Sequence, residues 1–544
     1  MAHSFNTNLT NVAAHFLQLL KIPVTKTSFI KSLEQNPYYP SLYSISNTFN
    51  KFGIASQAFT ITAEDLGQIE APFIAYYKSA ANSKDFILVS KLNENEVFFI
   101  SEGNKEKIIS KRDFLKNWQQ IVLVAEGNTT SGEKDYAVKL KKEQQQQTRK
   151  YWLYAGAVSI ALLFTAAFTY NVGNAFFYSA ISIVAIKLLG IAVTALLLVY
   201  EIDKSNSFIK NICTAGKQTN CDVILNSKAA RFLGMSWSEA GFFYFTTTTI
   251  FLFSGIDYPI KSVGIVIAGT IAAAYIPFSI YYQWKVVKQW CPLCLTVQAV
   301  LAMELVWAIV NVWIPSTRLT TFEKLSTLPD GGSLIQILLS VLLPIVVWYL
   351  LKPLLLKAKD ESLYHNAYKR LLYNPEVFNG LLQQQDTAPD GWQQLGITIG
   401  NLNAENTIIK VCNPYCGPCA KAHPILEEII QYNENVNLKI IFTVTNNEND
   451  PATKPTQHLL AIDSKQDKQL TKKALDDWYL ADKKDYPVFA TKYPMNGELT
   501  LQKEKLDSMR KWCDEAGIAH TPTLFINGRR VPEMYNTEEL KNIF

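Results

Sequence analysis

The chain has 544 residues, a formal net charge of +5 and 48% hydrophobic residues. A length of that order divides into about three or four domains. So small a charge, with no basic patch interleaved with aromatics, gives no argument for a nucleic-acid partner.

Composition shifts sharply along the chain, because Tyr151 to Leu356 is largely apolar while both flanks are mixed and polar. The expected fold class is therefore multidomain, with an α-helical transmembrane bundle of about six spans between an N-terminal α+β domain and a C-terminal α/β domain. The expected boundaries are a first domain over 1–127, a polar linker over 128–150, the membrane region over 151–357, a second linker over 358–394 and a last domain over 395–544. Met1 to Leu20 lacks a basic start followed by an apolar run, so no secretory signal is expected.

In the first domain, Asn11–Leu20 and Ser41–Phe52 have helical spacing, the second stopped by Gly53. Ala71–Lys78, Phe86–Lys91 and Val97–Ile100 have the aromatic and β-branched content of strands. Tyr39-Pro40-Ser41-Leu42 before Phe52-Gly53-Ile54, then Asp85-Phe86-Ile87-Leu88-Val89, then Asp113 to Trp118 before Ile121 to Val124, resemble the C39 peptidase family at the level of fold. No cysteine precedes residue 213, and Asp85 stands where that family places its histidine. Without thiolate and imidazole there is no nucleophilic mechanism. The resemblance thus implies a non-catalytic domain, either a docking site for a peptide leader or a structural remnant.

Tyr151–Tyr170, Ala180–Tyr200, Gly241–Gly255, Val263–Trp284, Leu295–Ile314 and Leu334–Leu356 are the expected spans. An even number puts both soluble domains on one side of the membrane. Cys291-Pro292-Leu293-Cys294 opens the fifth. A C-x-x-C is also half of a zinc site or a pair of small core residues. A helix start, however, favours the thiolate, the species that attacks disulfides. The loop from Glu201 to Ala240 holds Cys213 and Cys221, then Asp222 to Ser227 and Gly234, and in the absence of exchange these two cysteines form a static staple. Loop cysteines at this spacing, the Cys-x-x-x-Leu-x-Ser run and a later span opened by C-x-x-C resemble the vitamin K epoxide reductase family over roughly Leu188 to Val312. That resemblance implies a quinone, ubiquinone or menaquinone, bound near Cys294. It also implies Cys291 exchanging with Cys221, and Cys213 receiving electrons from a partner thiol.

In the last domain, Leu395–Gly400 and Thr407–Cys412 read as strands, followed by Cys416-Gly417-Pro418-Cys419 and a helical pattern, the thioredoxin order. Pro424 and the Thr521-Pro522-Thr523 segment complete a resemblance to thioredoxins, with Pro522 as the cis-proline. Val444–Glu515 resembles the helical insert of DsbA-type relatives. Cys416 is the expected nucleophile and Cys419 the resolving thiol. Thioredoxins carry an aspartate where this chain has Lys410. Cys412 and Cys513 are either bridged or buried free thiols, and His423 is expected on the helix surface.

The combined expectation is a multi-pass inner-membrane thiol–quinone oxidoreductase. Electrons pass from cysteine-containing protein or peptide substrates through Cys416/Cys419, Cys213/Cys221 and Cys291/Cys294 to the quinone, with no metal. The rivals are reverse flow, a peptide-binding or transport protein with structural cysteines, and a zinc protein joining the two C-x-x-C pairs. On sidedness the signals conflict. Arg149, Lys150, Lys285, Lys288, Lys352 and Lys357 crowd the cysteine side, against Lys261, Arg318 and Lys324 opposite, which points to the cytoplasm. Disulfide chemistry favours the extracytoplasmic side.

Overall fold

The computed structural model describes residues 2–78, 84–101, 106–172, 176–203, 209, 212–213, 219, 221–225, 227, 230–232, 234–313 and 331–544. Arg318, Lys324 and the end of the fifth expected span lie outside these, as do residues 214–218 between the loop cysteines. Two compact units result, Met1–Asn366 and Ala367–Phe544.

The first unit begins with helices Ala2–Leu19, Lys26–Glu34 and Leu42–Lys51. Ser41 starts the third helix, its hydroxyl and that of Ser44 exchanging backbone hydrogen bonds in a capping box. Gly53 stops it at φ +67°, a conformation that side chains resist. Strands β1 (Ala55–Thr60), β2 (Phe73–Lys78), β3 (Lys84–Leu92), β4 (Glu96–Ile100), β5 (Glu106–Ser110) and β6 (Trp118–Glu126) form an antiparallel sheet in the order β1-β6-β2-β3-β4-β5. One face packs Ile74, Leu88 and Leu123 under Phe16, Phe29 and Phe49 of the helices. The other gathers Phe73, Val89, Val97 and Val122 around Phe114.

The expected linker is helical from Tyr136 and runs without a break to Val172. Among the described residues, five helices of 18 or more residues are apolar enough to cross a membrane: Tyr136–Tyr170, Phe177–Ile202, Ile260–Val287, Pro292–Asn311 and Gly331–Leu372. The expected third span, Gly241–Gly255, falls on a 16-residue helix, Trp237–Leu252, shorter than those five, which runs from Tyr275, on whose ring Trp237 stacks, to Lys261, which donates to the Leu252 carbonyl. It packs on the Phe177–Ile202 helix, where a Cβ on Gly190 would lie 2.4 Å from the Phe245 ring. The glycine that interrupts the second apolar run is therefore the seat of Phe245. Ahead of this helix, β7 (Arg231–Phe232) and β8 (Met235–Ser236) make a two-stranded turn.

Lys187 and Glu304 are both fully buried and face each other at 2.5 Å. Tyr244 donates to the same carboxylate oxygen at 2.7 Å, so three helices meet at one polar knot. A fourth helix, Tyr258–Ala273, brings Gly269 so close that a Cβ there would stand 3.0 Å from Glu304 Oε1. Paired in this way, the two charges do not line an open path, which counts against the transport rival. Lys261 is likewise engaged, donating to the Leu252 and Ser254 carbonyls at the end of the preceding helix.

The second unit holds a five-stranded sheet of β9 (Ile397–Gly400), β10 (Asn406–Cys412), β11 (Val436–Phe442), β12 (Thr523–Ile526) and β13 (Arg529–Arg530), in the order β13-β12-β10-β11-β9. Only β10 and β11 run parallel. Helices Thr453–Asp463, Lys468–Tyr479, Tyr486–Lys492 and Lys503–Glu515 fill the expected insert. The stretch 358–394 differs from a plain linker: the Gly331–Leu372 helix runs into it, and Leu372, Tyr373, Phe378 and Leu382 belong to the core of this unit.

Removing one partner of a buried ion pair leaves the other charge uncompensated and costs about 3–5 kcal/mol, whereas replacing both by apolar residues is far milder. Lys187→Met is therefore expected to lower the thermal midpoint of the detergent-solubilised protein markedly, and Lys187→Met with Glu304→Leu to restore much of it. Equal losses in the single and double variants would contradict the pairing.

Candidate functional site

Two helices begin in the same way. In the first unit a wide helical turn, Tyr282–Val287, ends at Lys288 with φ +55°, rare for a residue with a side chain. The reversal lets the next helix start at Pro292, with Cys291 as its N-cap: Cys291 Sγ accepts the Cys294 backbone N–H at 3.2 Å. In the second unit Cys416 caps the Gly417–Tyr432 helix and its Sγ accepts the Cys419 N–H at 3.1 Å. Proline in the first turn suits both, because the N–H it lacks there has no helical partner.

Gln283 fixes the membrane pair from outside it. Its Oε1 accepts the Cys291 N–H at 2.9 Å, and its Nε2 donates to Ser279 Oγ at 3.1 Å. Cys291 is wholly buried and Cys294 partly exposed. The loop reaches the same place. Thr219 pairs with Trp290, the residue before Cys291, and Cys213 and Cys221 are bonded to each other. Cys213, Cys221 and Cys291 share one packed cluster with Leu197, Tyr200 and Leu293, and Cys294 lies against it.

Beside Cys294 a pocket opens between aromatic walls. Trp237 and Tyr275 stack at 4.3 Å, and Phe278 and Tyr282 at 6.2 Å. Gln298, one helical turn past Cys294, is buried in the lining, and its Oε1 has no hydrogen-bond partner. Largely apolar walls with a few polar groups, among them Gln298, suit a flat, lipid-soluble molecule that carries a polar edge.

In the second unit Cys416 is partly exposed and Cys419 buried. Cys416 Sγ lies 3.4 Å from the carbonyl of Thr521, and the Thr521–Pro522 peptide bond is cis. Burial pushes the Cys419 thiol well up from its ordinary range. Cys412 and Cys513 are buried and unbridged, and Cys412 Sγ contacts Tyr479 Oη at 3.0 Å. Burial raises both thiols, Cys513 to about 12. Lys410 is fully buried with no hydrogen-bond partner, its Nζ 4.1 Å over the Tyr479 ring. Burial pulls its pKa down. His423 corrects the expectation of a surface residue: it is 0% exposed. The Lys468–Tyr479 helix of the insert covers that face, with the Tyr479 ring tilted 35° to the imidazole at 4.9 Å.

Sequence reasoning named the cysteines and Pro522, but not Gln283, Gln298, Trp237 or Tyr275. The polar character of Gln298 inside an apolar span was the one available signal.

Known families match in three places. The model of the Peptidase C39 family matches residues 17–130, that of the Vitamin K epoxide reductase family 181–309, and a Thioredoxin model 393–544. The three matches fall on separate stretches of this one chain. The VKOR-like domain contains both membrane-side cysteine pairs, and the thioredoxin-like domain contains the third. Together they support a membrane thiol–disulfide oxidoreductase. No curated protein matches the chain. Among solved structures, the catalytic domain of Proteus mirabilis ScsC is 16% identical, with a TM-score of 0.24, over 28% of this chain and 88% of that one. Pseudomonas aeruginosa DsbA2 is 18% identical, with a TM-score of 0.23, over 26% and 88%. BdbD from Bacillus subtilis is 11% identical, with a TM-score of 0.24, over 29% and 94%.

A raised thiol pKa and burial both lower the supply of reactive thiolate. In the reduced protein at neutral pH, iodoacetamide is expected to label Cys416 at least about tenfold faster than Cys419, Cys412 or Cys513, which react fully only after denaturation. Mass spectrometry of time points checks this, and comparable rates at Cys416 and Cys419 would contradict it.

Proposed function

We propose that the protein oxidises cysteine pairs in protein or peptide substrates and delivers the electrons to a membrane quinone. The observation that carries this reading is the convergence of the bridged loop cysteines, Cys291 and Cys294 in one cluster that borders the aromatic pocket.

The chain's residues would act in sequence. A substrate dithiol reduces the Cys416–Cys419 disulfide and leaves with a disulfide of its own, Cys416 receiving the attack and Cys419 being released. The reduced pair then passes two electrons to Cys213–Cys221. In the next exchange the Cys221 thiolate attacks Cys291 of a Cys291–Cys294 disulfide, releasing Cys294. Cys213 closes on Cys221 and frees Cys291. Each step breaks one S–S bond and forms another, so electrons and protons balance. Gln283, bonded to the Cys291 backbone, keeps the attacked sulfur in place through this exchange.

A quinone, when bound, supplies a two-electron, two-proton acceptor that returns Cys291 and Cys294 to the disulfide. The residues present fit it. Trp237, Tyr275, Phe278 and Tyr282 offer faces for a flat ring, and the unpartnered amide of Gln298 offers a hydrogen bond to a ring oxygen, its O and N being interchangeable by a flip of the amide. Cys294, the more exposed of its pair, faces this pocket.

The oxidising direction places the cysteines outside the cytoplasm, where disulfides persist. The lysine-rich flanks oppose that placement, and a reporter enzyme fused after Phe544 identifies the side. The N-terminal domain, which has the C39 fold without its nucleophile, is read as a docking site for a peptide leader.

The decisive assay supplies purified protein in lipid with a quinone and a reduced dithiol peptide and follows quinone reduction. Wild type is expected to turn over, and Cys294→Ala to fall by at least about a hundredfold, since losing a group that acts as part of a unit abolishes most of the rate. Equal rates would remove the quinone reading and leave the cysteines as fasteners.

A further inference from the structure

A group of polar atoms in the thioredoxin-like domain, one turn beyond Cys419, has no part in thiol exchange. His423 and Glu427 stand four residues apart on one face of the Gly417–Tyr432 helix, and Asp476 reaches them from the Lys468–Tyr479 helix of the insert. His423 Nε2 lies 3.3 Å from Asp476 Oδ1 and 3.6 Å from Glu427 Oε1. All three donor atoms fall within 4.8 Å of one another. They face one another at ion-pair distance, yet His423 Nε2, Glu427 Oε1 and Asp476 Oδ1 are all buried atoms without a well-aligned hydrogen bond. His423 is completely enclosed, so a buried ring nitrogen without a well-aligned hydrogen bond faces two carboxylates.

The spacing has a simple explanation. Around a tetrahedral ion with bonds of about 2.0–2.1 Å, neighbouring ligand atoms stand roughly 3.3 Å apart. One imidazole nitrogen with two carboxylate oxygens is a donor set that zinc and similar divalent transition ions accept. The carboxylate side chains are 13% and 29% exposed, which leaves a way in from solvent and room for a water as a further ligand. No lysine lies within salt-bridge distance of Glu427 or Asp476 among the described residues, although Lys410 and Lys472 are close enough to influence the cluster electrostatically.

We propose that His423, Glu427 and Asp476 bind a divalent transition cation of the zinc class. The ion braces the helix that carries Cys416 and Cys419 against the helical insert. The site is distinct from both C-x-x-C pairs and does not depend on the direction of electron flow or on the quinone.

The test uses the full chain in detergent, stripped with a chelator, with its redox cysteines oxidised so that thiolates do not take up metal. Zn²⁺ alone is then titrated by equilibrium dialysis. Wild type is expected to bind about one equivalent and to gain thermal stability in the second unit, as ligand linkage requires. Asp476→Asn and Glu427→Gln are each expected to bind at least about tenfold more weakly. Co²⁺ in place of Zn²⁺ is expected to give a spectrum without thiolate charge-transfer bands. No uptake by wild type, no rise in its thermal midpoint, undiminished binding in both variants, or a cobalt–thiolate band would each overturn the assignment. The wild-type measurements decide the matter even if a variant folds poorly.

Discussion

A disulfide changes hands only when a thiolate touches one of its sulfurs. In the VKOR-like domain several features converge on one such point. The helix from Pro292 presents Cys291 at its cap, Gln283 secures the cap from behind, and the bridge between Thr219 and Trp290 draws the loop to the same point. The pocket beside Cys294 is walled by Trp237, Tyr275, Phe278 and Tyr282, and in the proposed reading it receives the electrons.

Holding two cysteine pairs in register inside a bundle requires rigid walls, and the buried knot of Lys187, Tyr244 and Glu304 supplies them. Glu304 sits on the helix that Cys291 caps, so the knot and the redox pair share a rod. Phe245 in the notch at Gly190 locks the helix of Tyr244 to that of Lys187. The second unit repeats the cap in different surroundings. Cys416 leans toward the carbonyl before a cis-proline, and Cys419 is buried above Lys410 and Cys412.

Much of this was legible in the sequence, for definite reasons. A C-x-x-C before an apolar or helical run marks a helix start, and long apolar runs mark spans, because both signals are local. The strands Phe73–Lys78, Lys84–Leu92 and Glu96–Ile100 carry β-rich composition and were visible. Ala55–Thr60 is poor in it and Glu106–Ser110 has only Ile108 and Ile109 between polar residues, so pairing with β6 and β4 completes them. The Trp237–Leu252 helix starts four residues before the expected Gly241–Gly255 span and ends three residues short of its end, because hydropathy does not register the Ser236 cap that sets its start. His423 looked like a surface residue because its own helix leaves it outward, and burial comes from an insert helix whose docking no local pattern encodes. Gln283 and Gln298 acquire their roles only from the partner, or the lack of one, that the fold gives them.

The central claim is that the loop pair and the membrane pair exchange through one bond, Cys221 to Cys291. It is tested most directly by replacing Cys213 and Cys294 with serine, which removes both resolving thiols, and mapping disulfides in the purified protein by mass spectrometry. The account predicts that a Cys221–Cys291 linkage accumulates as the main intramolecular disulfide of the first unit. Free thiols at both positions under oxidising conditions would contradict it.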